Sequence, residues 1–385
     1  MKKTFSISLA LIFILSACGP SNSGGSSSAA IKIGCAAPLT GDQAQIGVDM
    51  CNGVELAIHQ ANDFSKQLAP GTAGLEFTIS RQDDQHNPAQ AVNVAKKFIS
   101  DPSVAAVVGH FNSSCTKPSS AVYSEAGLVQ ITPASTNPEL SKQGFATFFR
   151  VAATDDVQGP QGAYFAVNKL GIKKIYIIDD KTTYGKGIAD EFEKEARKLG
   201  AEVLGHEGIT QGDKDFTPLL TKIKPLAPEL IYFGGIYPEG ALLVRQARSL
   251  DIQASFMGGD GIATLTFKEL ATQQIAEGTY ATMVGGDMHQ VPAAASFIRD
   301  YEGKYGTLGQ WSAYGFDAAN ILIEAIRKAG SKDRAAVLQA MRQIPEFSGI
   351  TGKVIFDEKG DNKNQFIGIF QFKNGKLEYV GPAQE

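Results

Sequence analysis

Cysteine is scarce in this chain, at four residues in 385, and none falls in a CxxC or CxxH spacing. That excludes the common zinc and dithiol redox motifs. Histidine is scattered at His59, His86, His110, His206 and His289, with no HExxH and no His-rich cluster. There is no G-x-S-x-G elbow and no Walker A loop, which removes the usual signatures of acyl transfer and nucleotide hydrolysis. Tyr184-Gly185-Lys186-Gly187 follows an apolar run but lacks the third glycine of a nucleotide loop, so it reads as loop geometry. Basic residues never cluster and the net charge is -4. Nucleic acid is therefore not an expected partner, because phosphate binding needs massed Lys and Arg. No hydrophobic run is long enough to span a bilayer. With no nucleophile, base and oxyanion donor assembled, the expectation is a binder with no catalytic residue, cofactor or metal.

What is present begins with the amino terminus. Lys2 and Lys3 precede an apolar stretch from Phe5 to Leu15, followed by Leu15-Ser16-Ala17-Cys18. This pattern predicts a signal peptide over 1–17, and its end resembles a bacterial lipobox in which Cys18 becomes the lipidated first residue. Ser21 to Ala30, SNSGGSSSAA, then reads as a flexible tether, giving a lipidated segment over 18–30. The expected location is periplasmic or at the cell surface, with the membrane reached through the lipid anchor. Cys35, Cys51 and Cys115 remain, so at least one is unpaired. One disulfide among them is open, and buried free thiols are the simplest reading.

From Ile31 the pattern is short β-branched runs alternating with longer amphipathic stretches. IKIGCAA, LEFTISRQDD, VAAVVGH, LVQITPA, KKIYIIDD, AEVLGHEGI, ELIYFGG, SFMGGD and GTYATMV are the expected strands. Helices are expected at Pro88–Ile99, Asp156–Leu170, Lys186–Leu199 and Glu239–Leu250. Apolar strands separated by helices predict parallel sheets covered on both faces. The rhythm restarts at Lys173, so the expected fold class is α/β, with two Rossmann-like doubly wound lobes. A closing hairpin is expected over Gln365–Val380 with a Lys-Asn-Gly turn.

Ligands of such sheets bind beyond the carboxyl ends of the strands. GHFNSSCTKPSS places Asn112, Ser113, Ser114 and Thr116 there, with a helix expected to begin near Thr116-Lys117-Pro118. Free helix N–H groups beside hydroxyls bind a carboxylate without a bulky cation. ITPASTNP adds Ala134, Ser135 and Thr136 on a backbone stiffened by two prolines. FMGGDG offers Asp260, a carboxylate framed by glycines that can accept from an ammonium. Tyr184 and Tyr237 follow strands of the second set and are placed to close over a ligand. The acidic pairs Asp83-Asp84 and Asp179-Asp180 lie on strands whose adjacent side chains face opposite ways, so one of each pair is expected to be structural. Donors on one lobe and a carboxylate on the other suit the zwitterion of an amino acid.

These segments, with DDKTTYGKG, GITQGDKDFTPLL, YFGGIYPEG, LVRQARSL and FDEKGD, resemble the bacterial leucine/isoleucine/valine-binding proteins, from Ile31 to the end and in order. The resemblance implies a type I periplasmic binding protein with a three-segment hinge. Its lobes are expected at 31–152 with 283–355 and at 153–282 with 356–385. It implies an apolar L-amino acid as the small-molecule ligand, a monomer, and an inner-membrane ABC permease as partner. Carried over by position, the carboxylate falls to Ser113, Ala134 and Thr136, with Ser135 between them. Tyr184 matches the family's tyrosine, and the family's ammonium-binding glutamate becomes Asp260. Ile46 and Ile236 stand where enteric relatives place aromatic residues, leaving Tyr237. His86 and Asn112 stand near the positions of the family's disulfide. The alternative is a binder or sensor of another amine or amide ligand on the same fold.

Overall fold

The computed structural model describes residues 30–66 and 74–384. The leader, Cys18 and most of the tether lie outside the described residues. Five parallel strands form the first sheet: β1 (Ile31–Ala37), β2 (Phe77–Asp83), β3 (Val104–Gly109), β4 (Val129–Thr132) and β5 (Phe148–Arg150), in the order β2-β1-β3-β4-β5. The chain then builds β6 (Lys174–Asp179), β7 (Glu202–Gly208), β8 (Leu230–Gly234), β9 (Ser255–Gly258) and β10 (Tyr280–Val284). A short hairpin of β11 (Phe347–Gly349) and β12 (Gly352–Val354) precedes β13 (Ile367–Lys373) and β14 (Lys376–Pro382). The second sheet runs β14-β13-β10-β9-β8-β6-β7, parallel except for the antiparallel pairs made by β13. Every strand residue of β3, β4 and β8 is buried, as strands covered by helices on both faces must be.

The chain passes between the sheets after β5, after β10 and before β13. The expected break between 282 and 283 falls inside β10, where Met283 and Val284 still pair with Gly368 and Ile367. The terminal hairpin turns through Asn374 (φ 52°) and Gly375 (φ 74°), the left-handed pair that a two-residue turn requires. The helix expected from Asp156 starts at Asp155 and widens into a π turn over Phe165–Lys169.

Two long helices, Ala44–Lys66 and Ser312–Ala329, pack directly together over the first sheet. Glycine permits it: a Cβ at Gly53 would lie 1.9 Å from the Ser312 carbonyl oxygen, and one at Gly315 would lie 2.3 Å from that of Met50. Asp49 fixes the start of the later helix, accepting from the N–H groups of Trp311 and Ser312 at 2.9 Å and from the Tyr301 hydroxyl at 2.7 Å.

The disulfide left open among the three mature cysteines forms, in place of the simpler reading as buried free thiols. Cys35 on β1 and Cys51 on the helix above it are disulfide-bonded, and Cys115 is buried and free. Strand and helix are adjacent layers, which brings the two Cα atoms to 6.0 Å. His86 and Asn112 are joined differently, through Gln43. Its amide contacts His86 Nδ1 at 2.6 Å, and its oxygen accepts from Asn112 Nδ2 at 3.0 Å.

Candidate functional site

The carboxyl ends of both sheets face one cavity of about 700 Å³, within the range that small-molecule sites occupy. Ser113, Ala134 and Ile46 line it from the first sheet's side, and Tyr184, Ile236 and Asp260 from the second. Ser135, Thr136 and Tyr237 are not among its lining residues. The Ser135 hydroxyl is committed to the Phe111 carbonyl at 2.8 Å and to Thr116 Oγ1 at 2.7 Å. Tyr237 donates to the carbonyl of Asp42, tying the end of β8 to the loop after β1.

On the donor side, the helix expected near Thr116 begins at Ser113, with Asn112 in extended conformation at its N-cap. Pro118 therefore sits inside the helix rather than in its first turn. Asn112 spends its side chain on Gln43 and gives the helix no cap bond, so the first N–H groups stay free for a ligand. Ser113 Oγ accepts only a long bond, 3.3 Å, from the N–H of Asn137. The loops after β3 and β4 are stitched together by the His110 carbonyl, which accepts from Thr132, Ser135 and Thr116 at 2.8, 3.1 and 3.2 Å. Beneath them, His110 Nδ1 meets Asp84 at 2.7 Å, while Asp83 holds the N–H of Leu39 at 2.8 Å. Both members of this acidic pair are thus structural. Asp179 is likewise held by Lys181 and His206, and Asp180 Oδ1 by Thr182, while Asp180 Oδ2 has no partner. Arg150, wholly buried, donates to the carbonyls of Ser135 (3.1 Å) and Asn137 (2.7 Å) and pairs with Asp361. A guanidinium held by a carboxylate thus clamps the backbone of the second loop.

On the acceptor side, Asp260 Oδ1 accepts from the Tyr184 hydroxyl at 2.7 Å and from Gln158 Nε2 at 3.1 Å. Tyr184 is itself steadied by the N–H of Gly261 at 3.0 Å. Burial lifts the Asp260 carboxyl from the ordinary 3.8 to about 6. Beside it lies Asp155, absent from the residues expected from sequence. It is wholly buried, neither oxygen has a hydrogen-bond partner, and burial first, then the charge of Asp260, holds its pKa well above the ordinary range. Thr136 faces Asp155 and acts to lower its pKa, yet its hydroxyl misses hydrogen-bonding geometry. Gln158 Oε1 is unpaired as well. Two buried carboxylates, an amide oxygen and a hydroxyl thus converge with only the more distant Arg150 to offset them. Such a cluster is costly when empty and suits a cation with several N–H donors. The hint in the sequence was Thr154-Asp155-Asp156, an acidic helix start, but such starts are common as capping devices.

Between the two ends the wall is apolar. Phe111 meets Trp311 edge to face at 5.3 Å, Trp311 meets Tyr314 at 5.7 Å, and the Tyr314 hydroxyl donates to the Val284 carbonyl at 2.8 Å. Donors at Ser113, the carboxylate of Asp260 and an apolar wall line one cavity, an arrangement whose chemistry suits a small zwitterion.

The periplasmic binding protein family model matches residues 30–376. Leu/Ile/Val-binding protein homolog 1 of Brucella abortus is 34% identical over 99% of this chain and 100% of its own length. The chain belongs to the bacterial leucine/isoleucine/valine-binding proteins. A second relative in this family is the leucine-, isoleucine-, valine-, threonine- and alanine-binding protein of Pseudomonas aeruginosa, 36% identical over 89% of this chain and 90% of its own. Among solved structures, the branched-chain amino acid binding protein LivJ of Streptococcus pneumoniae, in complex with isoleucine, is 28% identical. It superposes with a TM-score of 0.83 over 92% of this chain and 100% of its own. Membership of the leucine/isoleucine/valine-binding proteins makes the fold that of a type I periplasmic binding protein, the location extracytoplasmic, and the protein a transporter's substrate-binding component rather than an enzyme.

Proposed function

We propose that this protein captures branched-chain or other apolar L-amino acids between two closing lobes and delivers them to the permease of an ABC importer, held to the membrane by lipid on Cys18. The observation that carries the reading is the opposition of Ser113 and its uncapped helix start to Asp260 across the cavity that both line, with the unpartnered carboxyl of Asp155 beside Asp260. The α-carboxylate lies against Ser113 and the backbone of Ala134 and Thr136. The α-ammonium lies between Asp260, Asp155 and the Thr136 hydroxyl, and the side chain rests against Ile46, Ile236 and the Phe111–Trp311 edge. Aspartate at 260 is one methylene shorter than the family's glutamate, and Asp155 supplies the second acceptor that makes up the reach. The closing bodies are the two lobes, with the boundary expected at 282/283 moved past Val284 so that β10 stays whole in the second, and they are bridged by Tyr237 on Asp42 and by Gln211 on His86 at 2.8 Å.

Titration calorimetry of ligand-free protein tests the reading. Leucine, isoleucine and valine should release heat with one-site stoichiometry. Absence of binding by every apolar amino acid would sink it.

A further inference from the structure

Asn137, in the loop after β4, is buried and does not line the cavity, yet each of its polar atoms is bound to a different partner. Its N–H donates to Ser113 Oγ at 3.3 Å, and its carbonyl accepts from Arg150 at 2.7 Å. Its side-chain oxygen accepts from the N–H of Glu139 at 2.9 Å. The amide nitrogen donates to the carbonyl of Thr183 at 2.6 Å. Thr183 opens the helix Thr183–Lys198, and the next residue is Tyr184, whose hydroxyl donates to Asp260. The bond therefore runs from the first sheet's side of the cavity to the second's. The second side keeps a place for it at Gly187, one turn into that helix. A Cβ there would lie 2.2 Å from Asn137 Nδ2. Held at its oxygen by Glu139, the carboxamide has no way to move aside and keep the bond to Thr183.

Resting on the reading above of two lobes that close on an amino acid, we infer that Asn137 is a positioning residue for closure. Its carboxamide latches the lobe that carries Ser113 to the helix that carries Tyr184. The bond exists only while the lobes are together, so it slows ligand release and leaves entry alone. The bridges made by Tyr237 and Gln211 join the lobes through Asp42 and His86. Asn137 differs from them in also touching Ser113, so the proposed carboxylate seat and the latch share one residue. Arg150, paired with Asp361, fixes the backbone from which the carboxamide reaches.

Calorimetry and stopped-flow kinetics with L-leucine on the full chain test this, comparing the parent with Asn137→Ala, Gly187→Ala and the double variant. Gly187→Ala blocks the latch from the other side and removes no bond. Apart from Asn137 its methyl meets only Asp155 Oδ2, at 3.9 Å, an ordinary contact, and alanine is the better helix former. Each single variant should raise Kd about fivefold, the weight of one neutral hydrogen bond. Dissociation should be faster and association unchanged. The double variant should bind no more weakly than either single one, because alanine at 137 leaves room for the methyl. Three results would overturn the latch while the amino acid reading stands: slower association in place of faster release, effects that multiply to about twenty-five-fold, or a Gly187→Ala protein that binds as its parent does. Should Asn137→Ala fail to fold, the release rate of Gly187→Ala decides alone. If the parent binds no apolar amino acid, both readings fall.

Discussion

Replacing Asp260 by asparagine separates what this carboxylate costs from what it does. The side chain keeps its size, and Oδ1 still accepts from Tyr184 and Gln158, so packing and those two bonds survive. In the empty protein the Asp260 carboxyl is raised from 3.8 to about 6, chiefly by burial, and the residue is only 4% exposed. A folded pKa above the unfolded one means the folded state holds the proton more readily. The penalty for ionisation is thus absent below 3.8, grows as pH rises, and is complete above about 6. At 1.36 kcal/mol per pKa unit it comes to about 3 kcal/mol at pH 7. The Asp260→Asn protein should therefore be more stable than its parent when empty at pH 7, by up to about 3 kcal/mol, and should lose that advantage toward pH 4. Leucine affinity should move the other way. Truncating one partner of a buried charge pair costs about 2–5 kcal/mol, at least thirtyfold in Kd. Binding of 4-methylpentanoate, leucine without its ammonium, should be spared or improved. Urea denaturation at the two pH values and calorimetry with the two ligands supply the measurements. Equal losses for leucine and 4-methylpentanoate would show that Asp260 does not hold the ammonium. An empty variant no more stable at pH 7 than its parent would refute the burial argument.

Two further outcomes follow from other parts of the structure. Arg150→Met removes the guanidinium that joins Asp361 to the carbonyls of Ser135 and Asn137. With Asp361 left without its cation and holding only the Ser141 hydroxyl, stability to urea should drop by about 3–5 kcal/mol, and a loss under about 1 kcal/mol would contradict the clamp role assigned to this residue. Replacing Cys35 and Cys51 together by alanine opens a bridge spanning 16 residues of sequence. Stability in thermal unfolding should fall by about 3 kcal/mol, and reductant should then have no further effect on the variant.

The alternation of apolar strands with helices was readable because each buried strand is a short continuous run with its own turn residues at the end. KKIYIIDD and ELIYFGG became β6 and β8 within a residue or two, and Asn374-Gly375 marked the terminal hairpin. The short β5 was not expected, because three residues carry no periodicity. The long helices Ala44–Lys66 and Ser312–Ala329 also escaped, since glycines at their contact interrupt the propensity that would announce them. The helix at Ser113 starts three residues early because Asn112, not Thr116, takes the extended N-cap conformation.

The same division runs through the site. Ser113, Ala134, Tyr184 and Asp260 could be picked out because each sits at a strand end, where local chemistry and topology agree. Ser135 and Thr136 could not be told apart by sequence. Only the fold turns the hydroxyl of one into a stitch to Phe111 and leaves the other unpartnered beside Asp155. Asp155 itself is an ordinary helix start until the crossover after β5 carries it under Asp260. The pairing of Cys35 with Cys51 is of the same kind, since an odd set of thiols admits several bridges and only the stacking of helix on strand selects one. Sequence by itself determined where chemistry could gather. Distance between segments far apart in the chain, settled by packing, decided which groups meet and which buried polar groups are left without a partner.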